Sequence, residues 1–322
     1  MTTKTLRATS LALGLLSSQI AGAPAVAAEK APVPNLPQET KGDPAPDTKA
    51  AQDLLARERY EDAIRQAKLA LGRDERHVPA MLVMAKSYYH LKKFELAGSI
   101  IEIAKSIDSG GKKGENDAEC YNLLGFLALN RDDRIGATAG FKKATESDDK
   151  FGPAFTNLTA QYLYAKNYDG AVESGEHAVK LMKTSARAHL NLGSAYRGKM
   201  RYADAEKEYK TALQLDANLA DAWFDLGILY LDAKEMPGPK GPIDLTEKLG
   251  TAISHFNRYK QLAGYKVAKD DPVDTYINDC KTQIDREAKR IERLKRQQER
   301  NKPKDGTTPP AAAPARAAPE KK

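Results

Sequence analysis

The sequence has little of several things. Two cysteines in 322 residues, Cys120 and Cys280, exclude a disulfide-stapled scaffold and any cysteine-rich zinc module. There is one tryptophan. No apolar run approaches the roughly 20 residues that span a bilayer. Proline is scarce in the body of the chain, because eleven of the 17 prolines lie in Pro24–Pro46 and Pro303–Pro319. Those two stretches cannot bury enough apolar surface to fold by themselves. Net charge is missing from most of the chain as well. The formal excess of +7 equals that of residues 281–322, which hold thirteen basic and six acidic side chains, so residues 1–280 are neutral.

The N-terminus carries Lys4 and Arg7, a short apolar stretch from Leu11 to Ile20, and Ala25-Val26-Ala27. A basic start, a short apolar run and an A-x-A site form the pattern of a secretory signal peptide, with cleavage expected after Ala27. Ser17, Ser18 and Gln19 interrupt the apolar run, which argues against a spanning anchor. No cysteine lies near the site to take a lipid, so the expected product is exported and periplasmic without a lipid anchor. The expected organisation is a signal peptide over 1–27, a disordered Pro/Ala-rich linker over 28–46, a helical array over 47–262, a charged helix over 271–300 and a Pro/Ala-rich tail over 301–322.

The body repeats itself at a spacing of 34 residues. Unit five carries His189, Leu192, Gly193, Tyr196, Tyr202, Ala205, Tyr209 and Ala212. Unit four has Phe155, Leu158, Thr159, Tyr162, Tyr168, Ala171, Gly175 and Ala178 in the same register. Unit three has Tyr121, Leu124, Gly125, Ala128, Ile135, Ala137, Phe141 and Ala144, and unit two has Met81, Met84, Ala85, Tyr88, Phe94, Ala97, Ile101 and Ala104. Unit six opens with Trp223, Leu226, Gly227 and Tyr230, while unit one is weaker, with Leu54, Tyr60, Ala63, Ala67 and Ala70. Offsets of 0, 3, 4 and 7 fall on one face of a helix. The small residue on that face lets a neighbouring helix approach, and an alanine in the second helix does so from the other side. One helix pair cannot bury its apolar stripe alone, so such pairs stack into a solenoid.

These residues resemble the tetratricopeptide repeat (TPR) family pattern, W-x2-L-G-x2-Y followed by A-x3-F and a second small residue. The fold class implied is all-α: a TPR solenoid of about five to six helix pairs with a long C-terminal capping helix. Two insertions break the period. Gly110–Glu115 lengthens the turn between units two and three, and Glu235–Leu249, with Pro237, Pro239 and Pro242, separates the helices of unit six by a stiff loop before a helix over Thr251–Leu262. Asp271-Pro272 then signals the start of a helix. Ile277, Cys280, Ile284, Ile291 and Leu294 line one face of it, interrupted by Glu287. Its first half reads as a cap on the last repeat, and the half from Lys289 to Arg300 as projecting into solvent.

A search for chemistry finds little. None of His77, His90, His177, His189 and His255 has a second ligand at metal-binding spacing, and His189 occupies a packing position of the repeat. Gly110-Gly111-Lys112-Lys113-Gly114 lacks the G-K-[ST] of a phosphate loop and reads as a turn. No nucleophile elbow appears. Cys120 and Cys280 fall in units too distant to bridge. The expectation is a protein that is not an enzyme and takes no cofactor, metal or small-molecule substrate.

In tetratricopeptide proteins the first helices of the pairs line a concave groove. The resemblance places Leu82, Lys86, Tyr89 and His90 of unit two in that groove, followed by Asn122, Phe126, Leu129 and Asn130 of unit three. Thr156, Leu163 and Tyr164 follow from unit four, Arg187, Leu190, Ser194 and Arg197 from unit five, and Asp221, Phe224, Ile228 and Asp232 from unit six. Ten of these are the candidate peptide-binding residues: Lys86, Tyr89, Asn122, Phe126, Asn130, Thr156, Tyr164, Leu190, Arg197 and Phe224. Aromatics beside Asn and Arg suit an extended or helical peptide. Leu82, Asn122, Thr156 and Leu190 do not reproduce the Lys/Asn clamp of the family's chaperone-tail binders.

The segment AISHFNRYKQLAG, followed by DPVDTYINDCKTQIDREAKRIERLKRQQER, resembles the end of the tetratricopeptide lipoproteins of the myxobacterial adventurous gliding-motility machinery, although this chain has no lipobox cysteine. That resemblance implies a scaffold in an envelope or gliding-motility complex, with other envelope proteins as partners and a second contact possible through 281–322. The rival reading is polyanion or membrane-surface binding through the basic end. Nucleic acid is not an expected partner, because the end lacks aromatics to stack on bases.

Overall fold

The computed structural model describes residues 42–107, 113–238, 241–264 and 271–301. The signal-peptide pattern, most of the linker and all but the first residue of the tail lie outside the described residues.

Among the described residues thirteen helices run in chain order. They are α1 (Ala45–Ala56), α2 (Tyr60–Arg73), α3 (Val78–His90), α4 (Phe94–Ser106), α5 (Lys113–Asn130), α6 (Arg134–Ser147), α7 (Gly152–Tyr164), α8 (Tyr168–Leu181), α9 (Ala186–Gly198), α10 (Tyr202–Leu215), α11 (Ala220–Asp232), α12 (Leu245–Ala263) and α13 (Val273–Asn301). Consecutive helices from α1/α2 to α11/α12 form the six units, and α13 closes the end. The fold is a TPR-type all-α solenoid, with the first helices as one layer and the second helices as the other.

Local chemistry sets the boundaries. Pro46, Pro79 and Pro153 sit in the first turns of α1, α3 and α7, where a missing N–H costs nothing. Asp133, Asn167 and Ser185 accept from the backbone N–H three residues on, at 2.8, 3.1 and 3.3 Å, and so cap α6, α8 and α9. Inside each of the first five units the chain reverses through one residue with φ between 57° and 59°: Glu58, Lys92, Asp132, Lys166 and Met200. These recur every 34 residues, apart from the six-residue insertion between Lys92 and Asp132. None is glycine, although this left-handed conformation disfavours other residues.

Small residues at the core of each pair permit close packing. Ala63, Ala97, Ala137, Ala171, Ala205 and Ala252 are all 0% exposed. In unit five a Cβ added to Gly193 would lie 2.7 Å from the Tyr209 ring, so the ring fills the space that the glycine leaves. Gly125 faces Phe141 and Gly227 faces Phe256 in the same way.

Three sequence expectations are corrected. In unit three Arg134, not Ile135, begins the second helix in register with Phe94, Tyr168 and Tyr202. Ile135 is 86% exposed, one residue out of phase with the buried stripe. Lys113–Glu115 belong to α5 rather than to a turn, because Gly114 weakens a helix without stopping it. The second helix of unit six begins at Leu245, not Thr251. Asp244 Oδ1 accepts from Glu247 N–H at 2.8 Å, a cap with an acid three residues later, immediately beyond the last proline of the insert.

The described part of the insert is a short antiparallel ladder, β1 (Pro237–Gly238) with β2 (Gly241–Pro242). Met236 is fully buried beside it, and its carbonyl accepts from Ile243 N–H at 3.1 Å. Lys248 is also buried; its ammonium donates to the Ala233 carbonyl, and burial pushes its pKa down. The insert is thereby fastened to the end of unit six.

α13 begins where Asp271-Pro272 predicts. Asp271 Oδ1 accepts from Val273 N–H at 2.9 Å, while Oδ2 accepts from the Tyr259 hydroxyl at 2.6 Å. Val273, Ile277 and Cys280 are buried against unit six, and every residue from Lys289 to Asn301 is exposed. Cys120 and Cys280 are both free and buried in different core clusters.

Candidate partner-binding groove

The first helices α1, α3, α5, α7, α9 and α11 lie side by side as one layer, and from α3 onward polar contacts tie each to the next. Asn157 Nδ2 donates to Asn122 Oδ1 at 2.8 Å, and Asn191, 34 residues on, donates to the Thr156 carbonyl at 3.1 Å. Arg187 pairs with Asp221 at 3.3 Å and Arg197 with Asp232 at 3.1 Å. Lys86 pairs with Glu119. Such contacts consume groove-facing groups before any partner arrives.

The groove divides into an open and a closed part. Units one to three enclose a cavity of about 570 Å³ lined by Lys49, Gln52, Leu55, Leu82, Lys86, Asn116 and Glu119, among others. Beside it Tyr89 and Phe126 form a half-buried aromatic row, with ring centroids 6.0 Å apart. Asn130 is exposed, and Tyr164 is 49% exposed beneath the Arg134 guanidinium, 4.3 Å from the ring centre. The structure thus brings Lys86, Tyr89, Phe126, Asn130 and Tyr164 to accessible positions.

The other candidates lie inside the packing. Asn122 is buried in its bond to Asn157, and the Thr156 hydroxyl donates to the Gly152 carbonyl at 3.2 Å. Leu190 and Phe224 are 4% and 3% exposed. The Phe224 ring is covered by Phe256, Tyr259 and Tyr276, with centroids at 5.8, 5.1 and 6.1 Å. Tyr276 belongs to α13, so the C-terminal helix, packed against α12, adds to the cover over Phe224. Arg197 is held between Asp225 and Asp232, and burial raises the pKa of both carboxyls against the pull of that arginine. Asp225 also accepts from Ser194 Oγ at 2.8 Å, and Ser194 Oγ from the Tyr209 hydroxyl at 3.2 Å.

Sequence reasoning missed unit one's share of the cavity, Thr48, Lys49, Gln52 and Leu55, because that unit matches the repeat weakly. It missed Glu119 although the residue stands at a groove position. His189 does more than pack: its ring nitrogens lie 2.6 Å from Glu208 Oε2 and 3.1 Å from the Lys183 carbonyl. Among the described residues no group of three or more His, Cys, Asp or Glu side chains could hold a metal ion, and no helix is long and apolar enough to cross a membrane.

Comparison with known proteins agrees with this architecture. The tetratricopeptide repeat family model matches residues 48–112 and 190–238. Heat shock protein STI1 of Saccharomyces cerevisiae is 30% identical over 102 residues, which is 31% of this chain and 17% of the yeast protein. A chain of the APC/C hetero-tetramer Cut9–Hcn1 superposes with a TM-score of 0.58 at 16% identity, over 74% of this chain and 42% of that one. Pseudomonas aeruginosa pilF gives 0.57 at 18% identity, over 75% and 97% of the two chains. PilW, a widely conserved type IV pilus biogenesis factor, gives 0.52 at 19%, over 72% and 97%. At such identities the structural likenesses show the fold alone. The chain carries tetratricopeptide repeats, a fold that typically serves protein–protein interaction rather than catalysis.

Proposed function

We propose that this chain is an exported, non-enzymatic scaffold of the bacterial cell envelope. Its groove over units one to four would hold an extended or helical segment of another envelope protein. One observation carries the reading: a cavity of about 570 Å³ stands open along the first helices of units one to three, whereas at unit six Phe224 is covered by Phe256, Tyr259 and Tyr276. Leu55, Tyr89 and Phe126 offer apolar anchors, and Lys49 and Gln52 offer polar groups that fix register. A few such anchors supply most of the affinity of a peptide in a groove. Export rests on the Lys4/Arg7, apolar and Ala25-Val26-Ala27 pattern. A place in a gliding-motility or related envelope complex rests on the HFNRY and DPVD resemblance.

The test uses a photo-crosslinking residue at Gln52, in the groove, or at Lys207, on a second helix, in the cells that make the protein. A discrete adduct is expected from position 52 and not from 207, and it should vanish with Lys49→Glu plus Lys86→Glu. Equal adducts from both positions would sink the groove reading. Phe224 is no probe of the groove, because its truncation would hollow the end of the solenoid. Mass analysis of the mature N-terminus tests export, with Ala28 expected as the first residue.

A further inference from the structure

The projecting half of α13 has a face that neither the core nor the groove uses. Val273, Ile277 and Cys280 commit one side of the helix to unit six. At 100° per residue, Arg286, Lys289, Arg290, Arg293 and Arg300 fall on the opposite side, with no acid between them. The strip is about 21 Å long at 1.5 Å per residue. Arg286, Lys289, Arg290 and Arg293 line a shallow depression of about 410 Å³ together with Leu294 and Gln297. Two ion pairs compete for this helix's basic groups, Arg290 with Glu287 at 2.6 Å and Arg296 with Glu292 at 2.5 Å. Among the described residues Arg286, Lys289 and Arg293 have no ion-pair partner. Leu294, 43% exposed, borders the strip.

We propose that this strip docks the protein on an anionic phospholipid surface. Arg286, Lys289, Arg290 and Arg293 meet head-group phosphates, and Leu294 enters the head-group layer. Three features select a lipid surface over other polyanions. A straight row of charges on one helix touches a plane along its whole length. The chain has no aromatic residue beyond Tyr276, so nothing there can stack on bases. An exposed leucine beside arginines gains by entering the boundary between head groups and acyl chains, which a phosphate backbone bathed in water does not offer. An acidic protein partner fits less well, because the strip presents no aromatic anchor to bury. Residues 302–322 add five basic and two acidic side chains to the same end. Docking here leaves the groove free, so it does not rest on the groove reading.

The test is co-sedimentation of the full chain with vesicles of phosphatidylcholine alone, or of phosphatidylcholine mixed with phosphatidylglycerol, at low and at physiological salt. Binding is expected only to the mixed vesicles, and it should weaken steeply with salt. At about fivefold per basic residue near an anionic surface, Arg286→Gln, Lys289→Gln and Arg293→Gln together should lose roughly 100-fold in affinity. Their helix content and thermal midpoint should stay unchanged, because all three side chains are exposed. A second variant with Lys302, Lys304, Arg316, Lys321 and Lys322 changed to Gln should still bind. Equal binding to neutral vesicles, an unchanged triple variant, loss confined to the tail variant, or tighter binding to duplex DNA than to the mixed vesicles would each overturn the proposal.

Discussion

Units four and five have helices of equal length, 13 and 14 residues, and reverse through the same left-handed turn, at Lys166 and Met200. They differ in what lies between the two helices. In unit five Gly193 makes room and the fully buried Tyr209 ring takes it. In unit four the pair is inverted, with Thr159 on the first helix and Gly175 on the second. No ring enters. The Thr159 hydroxyl donates to the Phe155 carbonyl at 2.7 Å and lies 2.9 Å from the Ser174 hydroxyl, while Leu192 of the next unit leans into the space at Gly175. Leu127 and Leu229 fill the interior of units three and six, but the equivalent residue of unit four is Gln161, 4% exposed with its carbonyl oxygen unpaired. Arg134, one helix before, leaves Nε and Nη1 buried without a hydrogen bond, its guanidinium resting on the Tyr164 ring.

The apolar core records the difference. One large cluster runs from Ala51 to Leu127 and another from Leu190 to Cys280. Between them stand two small buried groups, Ala137/Phe141/Leu158 and Leu163/Ala171/Ala195. Turns and small residues therefore suffice to set the repeat geometry, while stability depends on the side chain that fills the gap. Because a solenoid's stability is a sum over units and neighbouring interfaces, the polar interior of unit four is expected to make it a weak link.

The contrast can be broken most forcefully in unit five. Tyr209→Ala would empty that space and strip a partner from Ser194, at a cost of about 3–5 kcal/mol. Thr159→Ala, in the inverted pair, would cost about 1 kcal/mol, the worth of one hydrogen bond. Denaturant titration of both variants checks this, and similar losses would show that the two interiors are equivalent.

Gln161→Leu works in the opposite direction. Replacing an unpaired buried amide by the residue found at positions 127 and 229 should stabilise the chain by about 1–2 kcal/mol. Amide exchange should slow over α7 and α8 and stay the same over α10. Uniform slowing, or none, would remove the weak link.

The smallest effect lies in the turn that the two units share. Lys166→Gly should relieve the left-handed backbone and gain about 0.5 kcal/mol, part of the relief being offset by the freer unfolded chain. Met200→Gly should match it, because Met200 is 74% exposed and little packing is lost. Unequal thermal midpoints would mean that the two turns are not interchangeable.

Much of this was legible in the sequence. The 34-residue phase, the small residues opposite aromatics, the start of α13 at Asp271-Pro272 and the projection of its second half follow from local spacing. The family model leaves residues 113–189 unmatched, yet the backbone repeats through units three and four as it does elsewhere. The one-residue slip at Arg134 was hidden because Ile135 is the better apolar match by composition. Phase, which decides burial, favours Arg134. Unit one's contribution to the groove was faint because the residues lining a cavity are not those that make a repeat recognisable.

The sequence by itself determined a stack of helix pairs, since contacts at i, i+3, i+4 and one repeat away are short-range and periodic. Which part of the groove is open was decided only by tertiary structure. Phe126 and Phe224 both stand at groove positions of the repeat, yet Phe126 remains half-buried beside a cavity and Phe224 is sealed. Phe224 shares its repeat position with the equally buried Leu190 and is closed by Phe256 and Tyr259 of its own unit; Tyr276, carried in by α13 from some 50 residues further along the chain, completes the cover, and no pattern within unit six foretells where that helix comes to rest.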